Sequence, residues 1–180
     1  MTENSLVFDL SKAFAIHASA VKVDDGAWVF LGPSGAGKST ICRLLSPYAE
    51  PLADDWTYLI FSDTGSDAYA VANADIGIAK KLLSQQDLLE VNTIPLRAIF
   101  QLNQAEGLFI EPLKITKYCY HLLIAFFEIL SNSKIGIDAR KVVFSRIMAL
   151  SQSVPGYQLH FPLSSDIFAT LHTKVLEGSS

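Results

Sequence analysis

The sequence predicts a single α/β domain over residues 1–180, with a sheet that mixes parallel and antiparallel strands and flanking helices. Three observations lead there. The length of 180 residues is close to the roughly 150 typical of one domain. Hydrophobic residues make up 50% of the chain and charged residues 18%, a balance that fills a core and excludes a disordered or repetitive chain. Strand pairs of hairpin type surround a strand–loop–helix passage, whereas an all-parallel sheet would alternate strand and helix throughout.

Taken in order, Phe14–Val23 is rich in apolar and β-branched residues, Asp24-Asp25-Gly26 is a turn signal, and Ala27–Leu31 is a second apolar run, so a hairpin is expected. The glycines after Leu31 interrupt regular structure, and Lys38–Leu45 suits a helix that Pro47 ends. Pro51–Ala53 and Trp56–Phe61 read as strands on either side of Asp54-Asp55, with a turn at Asp63–Asp67 and a returning strand at Tyr69–Ala72. The stretch Asn73–Ile94 carries no readable pattern. Leu96–Leu102 and Leu108–Ile110 are strand candidates separated by Asn103–Gly107. Tyr118, Leu122, Leu123, Phe126, Phe127 and Leu130 recur at helical spacing from about Thr116. Asp138 is expected to cap another helix through Val142, Val143, Phe144, Ile147 and Leu150, which Pro155-Gly156 closes. Tyr157–Phe161 then forms a strand and Ser164-Ser165-Asp166 opens a last helix to Leu176, with Gly178–Ser180 frayed. Trp56 and the pair Phe126-Phe127 are read as core.

Composition excludes several classes. Lys and Arg total 14 against 18 acidic residues, for a net charge of −4, so nucleic acid is not the expected partner. Cys42 and Cys119 stand far apart without Cys-x-x-Cys spacing, which favours reduced core thiols over a disulfide framework or zinc. The longest apolar run, Leu122–Phe127, stops at Glu128, far short of the roughly 20 residues of a membrane span. The start, Met1-Thr2-Glu3-Asn4-Ser5, lacks a signal-peptide pattern, so a cytoplasmic place is expected. Mean hydropathy is +0.30, which leaves room for a homo-oligomer face.

The chemistry concentrates after Leu31. Gly32-Pro33-Ser34-Gly35-Ala36-Gly37-Lys38-Ser39-Thr40 fits the phosphate-loop pattern Gly-x4-Gly-Lys-Ser/Thr and lies between a strand and a helix. Glycines at 32, 35 and 37 allow the turn that aims backbone N–H groups at phosphate, and the helix N-terminus adds partial positive charge. Lys38 neutralises phosphate oxygens, Ser39 is placed to ligate Mg²⁺, and Asp54 or Asp55 supplies a nearby carboxylate. The expected ligands are ATP or ADP with Mg²⁺.

Three blocks resemble the catalytic domain of bacterial HPr kinase/phosphorylase and the wider HPr-kinase-like serine kinases. They are His17 in Ile16-His17-Ala18-Ser19-Ala20-Val21, fifteen positions before Gly32, then the loop itself, then Leu52-Ala53-Asp54-Asp55. The third is similar also to the paired aspartates of ATP-dependent phosphoenolpyruvate carboxykinases. The resemblance implies a phosphate-loop domain of the HPr kinase C-terminal type. It also implies Mg-ATP-dependent transfer to a serine or other hydroxyl of a protein, peptide or small molecule. One aspartate would then be the base and the other a metal ligand with Ser39. Asp54 is assigned to the base and Asp55 to the metal, an order open to reversal because adjacent strand residues point to opposite faces, and His17 would be a group beside the transferred phosphoryl. The nearest counterpart to that group's Glu-Leu-Arg-Gly-Ile-Gly block is Asp75-Ile76-Gly77-Ile78, without Glu or Arg, so an acceptor other than HPr is implied. Alternatives are a nucleotide-binding regulatory module without transfer and a phosphate-loop NTPase switch. A second cation beside Lys38 would come from Arg43, Arg97, Arg140 or Arg146, with Arg97 the first choice. His121, His160 and His172 are assigned packing or surface roles.

Overall fold

The computed structural model describes residues 10–62, 68–71, 93–130, 135–162 and 167–178. The expected turn at Asp63–Asp67, almost all of Asn73–Ile94 and the helix start at Ser164–Asp166 lie outside them. Strands β1 (Ala13–Val23) and β2 (Gly26–Leu31) form the expected hairpin, with Val23 opposite Gly26 and Ala18 opposite Leu31. Asp24 turns the chain with φ 52°, a left-handed geometry that a short polar side chain accepts. Helix α1 (Lys38–Leu45) follows the glycine loop, and β3 (Glu50–Ala53) and β4 (Trp56–Phe61) come next.

Beyond them, β5 (Ala68–Val71) pairs antiparallel with β4, and β6 (Thr93–Gln104) changes partner along its length. Thr93–Pro95 lie antiparallel to β5, while Leu96–Gln101 run parallel to β2. On its other side β6 is parallel to β8 (Gly156–Phe161), and β7 (Phe109–Pro112) adds antiparallel to β8. The order is β2-β1-β4-β5-β6-β8-β7, and the β2–β6 pairing closes β2, β1, β4, β5 and β6 into a ring. This is the mixed sheet expected from the hairpins.

Alternation along the strands sends side chains to two cores. Phe14, Ile16, Ala18, Val29, Leu31 and Ile99 pack with α2 (Ile115–Leu130) and α3 (Ile137–Ser153). Val21, Trp28, Phe30 and Phe100 pack with α1 and α4 (Phe168–Gly178). The sheet therefore has helices on both faces.

Four local expectations are corrected. Strand β6 runs to Gln104, past the apolar stretch, because Asn103 and Gln104 continue the pairing opposite His160 and Phe161. Gly136, not Asp138, is the N-cap of α3. Asp138 sits in the first turn, where its charge suits the helix N-terminus, and pairs with Lys141 at 3.0 Å. Trp56 holds its strand position but is 47% exposed, and Phe127 is 43% exposed while Phe126 is buried.

Candidate functional site

The glycine loop joins the end of β2 to α1. Gly35 and Gly37 have φ of 81° and 100°, which residues with a Cβ adopt at a cost. A Cβ on Gly32 would lie 2.6 Å from the Cβ of Ala36, so the loop closes only around glycine there. The Ala36 amide donates to the Pro33 carbonyl at 3.0 Å, and Ile41 donates to Gly37 at 2.8 Å to begin the helix. No acidic residue stands in the first turn of α1 and no side chain caps it, so its N-terminal amides keep their attraction for an anion. Lys38 is buried and donates to the carbonyls of Gly32 at 2.7 Å and Pro33 at 3.4 Å. From the end of β6, Gln104 donates to the Gly35 carbonyl at 2.8 Å.

The aspartate pair lies in an interruption of the strand line beside β1. Strands β3 and β4 run end to end along that edge, with Ala20 opposite Ala53 and His17 opposite Trp56. Between them the Asp55 carbonyl accepts from the Ala18 amide at 3.1 Å, and the Trp56 amide donates back to Asp54 at 2.9 Å. That bond spans two residues and Asp55 has φ 69°, the rarer, strained form of γ-turn. The buried hydroxyl of Thr57 fastens the turn by donating to the Ala18 carbonyl at 2.9 Å. In a regular strand adjacent residues point to opposite faces. Here the turn brings both carboxylates to residues of one β1 face. Asp54 Oδ1 accepts from Ser19 Oγ at 3.0 Å and from Ser39 Oγ at 3.3 Å, while Asp55 Oδ1 lies 3.5 Å from His17 Nε2. Asp55 is largely exposed.

Two contacts had no counterpart in the sequence reading. Ser19, fully buried, tethers Asp54. Its signal was its place two residues from His17, hence on the same strand face. Glu128, in α2, meets His17 Nδ1 at 2.7 Å. Its signal was a lone carboxylate ending an apolar helical run.

Burial, and secondarily Asp54, push the Cys42 thiol up to about 12. Cys119 is buried and both cysteines are free. The arginines lead elsewhere. Arg97 pairs with Asp25 at 3.3 Å, at the opposite end of β2 from the loop, which corrects the choice of Arg97 as second cation. Arg140 donates to the Ile135 carbonyl, Arg146 lies over the Phe61 ring at 5.6 Å, and Arg43 stands in the last turn of α1. His160 stacks on Phe109 at 4.0 Å, and His172 packs beside Phe168.

Fold and site together define a mixed α/β domain with a glycine loop, a buried lysine and an aspartate pair at one strand interruption. The chain belongs to the family described as SynChlorMet cassette protein ScmC, whose model matches residues 6–177. Among solved structures it is similar to the Hpr(Ser) kinase/phosphatase from Coxiella burnetii, with 14% identity and a TM-score of 0.45 over 92% of this chain and 94% of that one. No curated protein matches.

Proposed function

We propose that the protein is a Mg-ATP-dependent kinase that phosphorylates a serine or other hydroxyl of a protein, peptide or small molecule. The observation that carries this reading is the γ-turn at Asp55, which sets Asp54 against the loop's Ser39 and Asp55 beside His17. In this reading the backbone of Gly32–Thr40 and the Lys38 ammonium hold the phosphates. Ser39 and Asp54 fit Mg²⁺, being a hydroxyl and a carboxylate oxygen 3.3 Å apart, the hard oxygen donors that cation takes. Bound magnesium would supply charge neutralisation at the phosphate oxygens. Asp55 and His17 face the incoming hydroxyl. Its oxygen bonds to the γ-phosphorus, the bond to the β,γ-bridging oxygen breaks, and the hydroxyl proton passes to the Asp55 carboxylate. Of the two orders the sequence left open for Asp54 and Asp55, this is the reverse of the one assigned there. A cytoplasmic place belongs to the same reading. So does self-association, supported by Tyr120, Ile124 and Phe127, exposed at helical spacing on α2.

The test is transfer of labelled γ-phosphate to a hydroxyl acceptor, with nucleotide affinity followed in parallel. Asp55→Asn should lower transfer by roughly 10²-fold or more at unchanged affinity, the scale of general-base loss, and Asp54→Asn should weaken Mg-dependent binding. Wild-type transfer in Asp55→Asn refutes the mechanism. One observation favours the regulatory-module reading, namely that the described arginine contacts lead away from the loop. Nucleotide binding without acceptor-dependent ADP release would establish it.

A further inference from the structure

We propose that Glu128 is a positioning residue for His17: it accepts a hydrogen bond from Nδ1–H and holds the ring with Nε2 toward Asp55. The inference rests on the kinase reading and assigns it a carboxylate from a different layer of the fold. The distance is 2.7 Å from Nδ1 to Oε2, against 3.5 Å from Nε2 to Asp55. An ionised carboxylate only accepts hydrogen bonds, so Nδ1 is the donor. In the neutral ring Nε2 then carries no proton and cannot donate to Asp55 Oδ1 across the 3.5 Å between them, which leaves that carboxylate free to accept the hydroxyl proton. This is the logic by which a carboxylate behind an imidazole selects tautomer and orientation.

The placement of Glu128 supports a role beyond the helix itself. It lies within three residues of the α2 C-terminus, where the helix dipole disfavours a negative charge, and it follows six consecutive apolar residues. Its turn is firmly seated. Leu122, Ala125 and Phe126 are buried in the core that includes Phe14 and Ile16 of β1, and Phe126 meets Phe14 edge-on at 5.2 Å. Strand and helix thus hold the two partners at a fixed separation. Glu128 is part exposed, its side chain at 37%, so its replacement does not open the core.

The test combines ring-nitrogen NMR of ¹⁵N-histidine protein, without nucleotide and above the pH of ring protonation, with transfer kinetics. Wild type and Glu128→Gln, whose amide oxygen still accepts, should show His17 as the Nδ1–H tautomer. Glu128→Leu should move it to the Nε2–H tautomer that an unconstrained histidine prefers. In transfer assays Glu128→Leu should lower kcat about tenfold, the lower end of the range for outer-shell partners, with acceptor KM and nucleotide affinity unchanged. Glu128→Gln should restore most of that loss. An Nε2–H tautomer in wild type, or an unchanged tautomer and kcat in Glu128→Leu, overturns the proposal. The tautomer is read on the free protein, so the expected shift without any wild-type transfer refutes the kinase reading and leaves Glu128 as the group that fixes His17.

Discussion

The Ser19–Asp54 bond offers a direct measure of how the strand interruption is held. Ser19 is fully buried and donates to Asp54 Oδ1 at 3.0 Å, and that oxygen also accepts from the exposed Ser39 at 3.3 Å. A hydrogen bond to a charged acceptor contributes about 1.5–3 kcal/mol. Asp54 is exposed, so water replaces part of that when it is removed, and the lower end applies. Asp54→Ala should therefore cost about 1.5 kcal/mol, mostly through the orphaned Ser19 hydroxyl, and Ser19→Ala about 1 kcal/mol. With the hydroxyl already gone, removing Asp54 adds little, so the double variant should again cost about 1.5 kcal/mol, a coupling of about 1 kcal/mol. Ser39→Ala, losing a longer bond at the surface, should cost under about 0.5 kcal/mol. Urea denaturation gives the free energies, and calorimetry should show roughly 2–4 °C in Tm per kcal/mol for a domain of this size. A double variant destabilised by about 2.5 kcal/mol, the additive sum, would show that Ser19 does not hold Asp54 and would remove the reason for placing Asp54 on the Ser39 side.

Lys38→Ala should weaken Mg-nucleotide binding by roughly 100-fold, the scale of one lost charge-assisted contact, as titration calorimetry will show; equal affinity would place the nucleotide elsewhere. Asp55→Gly should raise stability by about 0.5 kcal/mol, because relief of the left-handed backbone exceeds the entropy of glycine, while transfer is lost. Cys42 has a folded-state pKa of about 12 against an ordinary 9.0. Its contribution to stability is therefore complete below pH 9 and is lost as pH climbs from there toward 12. Denaturation at stepped pH should show that decline in wild type and a shallower one in Cys42→Ala. A Cβ at Gly156 would lie 2.6 Å from two ring atoms of the fully buried Tyr118, so Gly156→Ala should cost about 1–3 kcal/mol by overpacking, read as a lowered urea midpoint.

The glycine loop was legible because its eight positions repeat a local requirement, a turn of small residues ending in a helix. The aspartates were legible as a pair but not in their directions. Those depend on β3 and β4 continuing one line beside β1 and on Asp55 taking a positive φ, both decided by residues more than thirty positions away. The choice of Arg97 failed for a reason of register. Strands β2 and β6 are parallel, with Leu31 opposite Gln101 and Ala27 opposite Leu96. The loop end of β2 therefore faces Gln101–Gln104, and Arg97 falls at the hairpin end. Trp56 read as core by its spacing, yet alternation along β4 buries Thr57 and leaves the indole at the surface. Glu128 was hidden because the partner that gives it meaning lies 111 residues earlier.

The Lys38 ammonium is turned back onto the Gly32 and Pro33 carbonyls. On the kinase reading those two carbonyl oxygens are intramolecular competitors for the ammonium, present at high effective concentration, and a phosphate would have to draw it away before gaining its charge. Small, weakly held anions would recover little of that cost. A phosphate that also engaged the α1 amides and Ser39 would recover more of it, so on that reading the folded-back lysine would favour multidentate anions over simple ones.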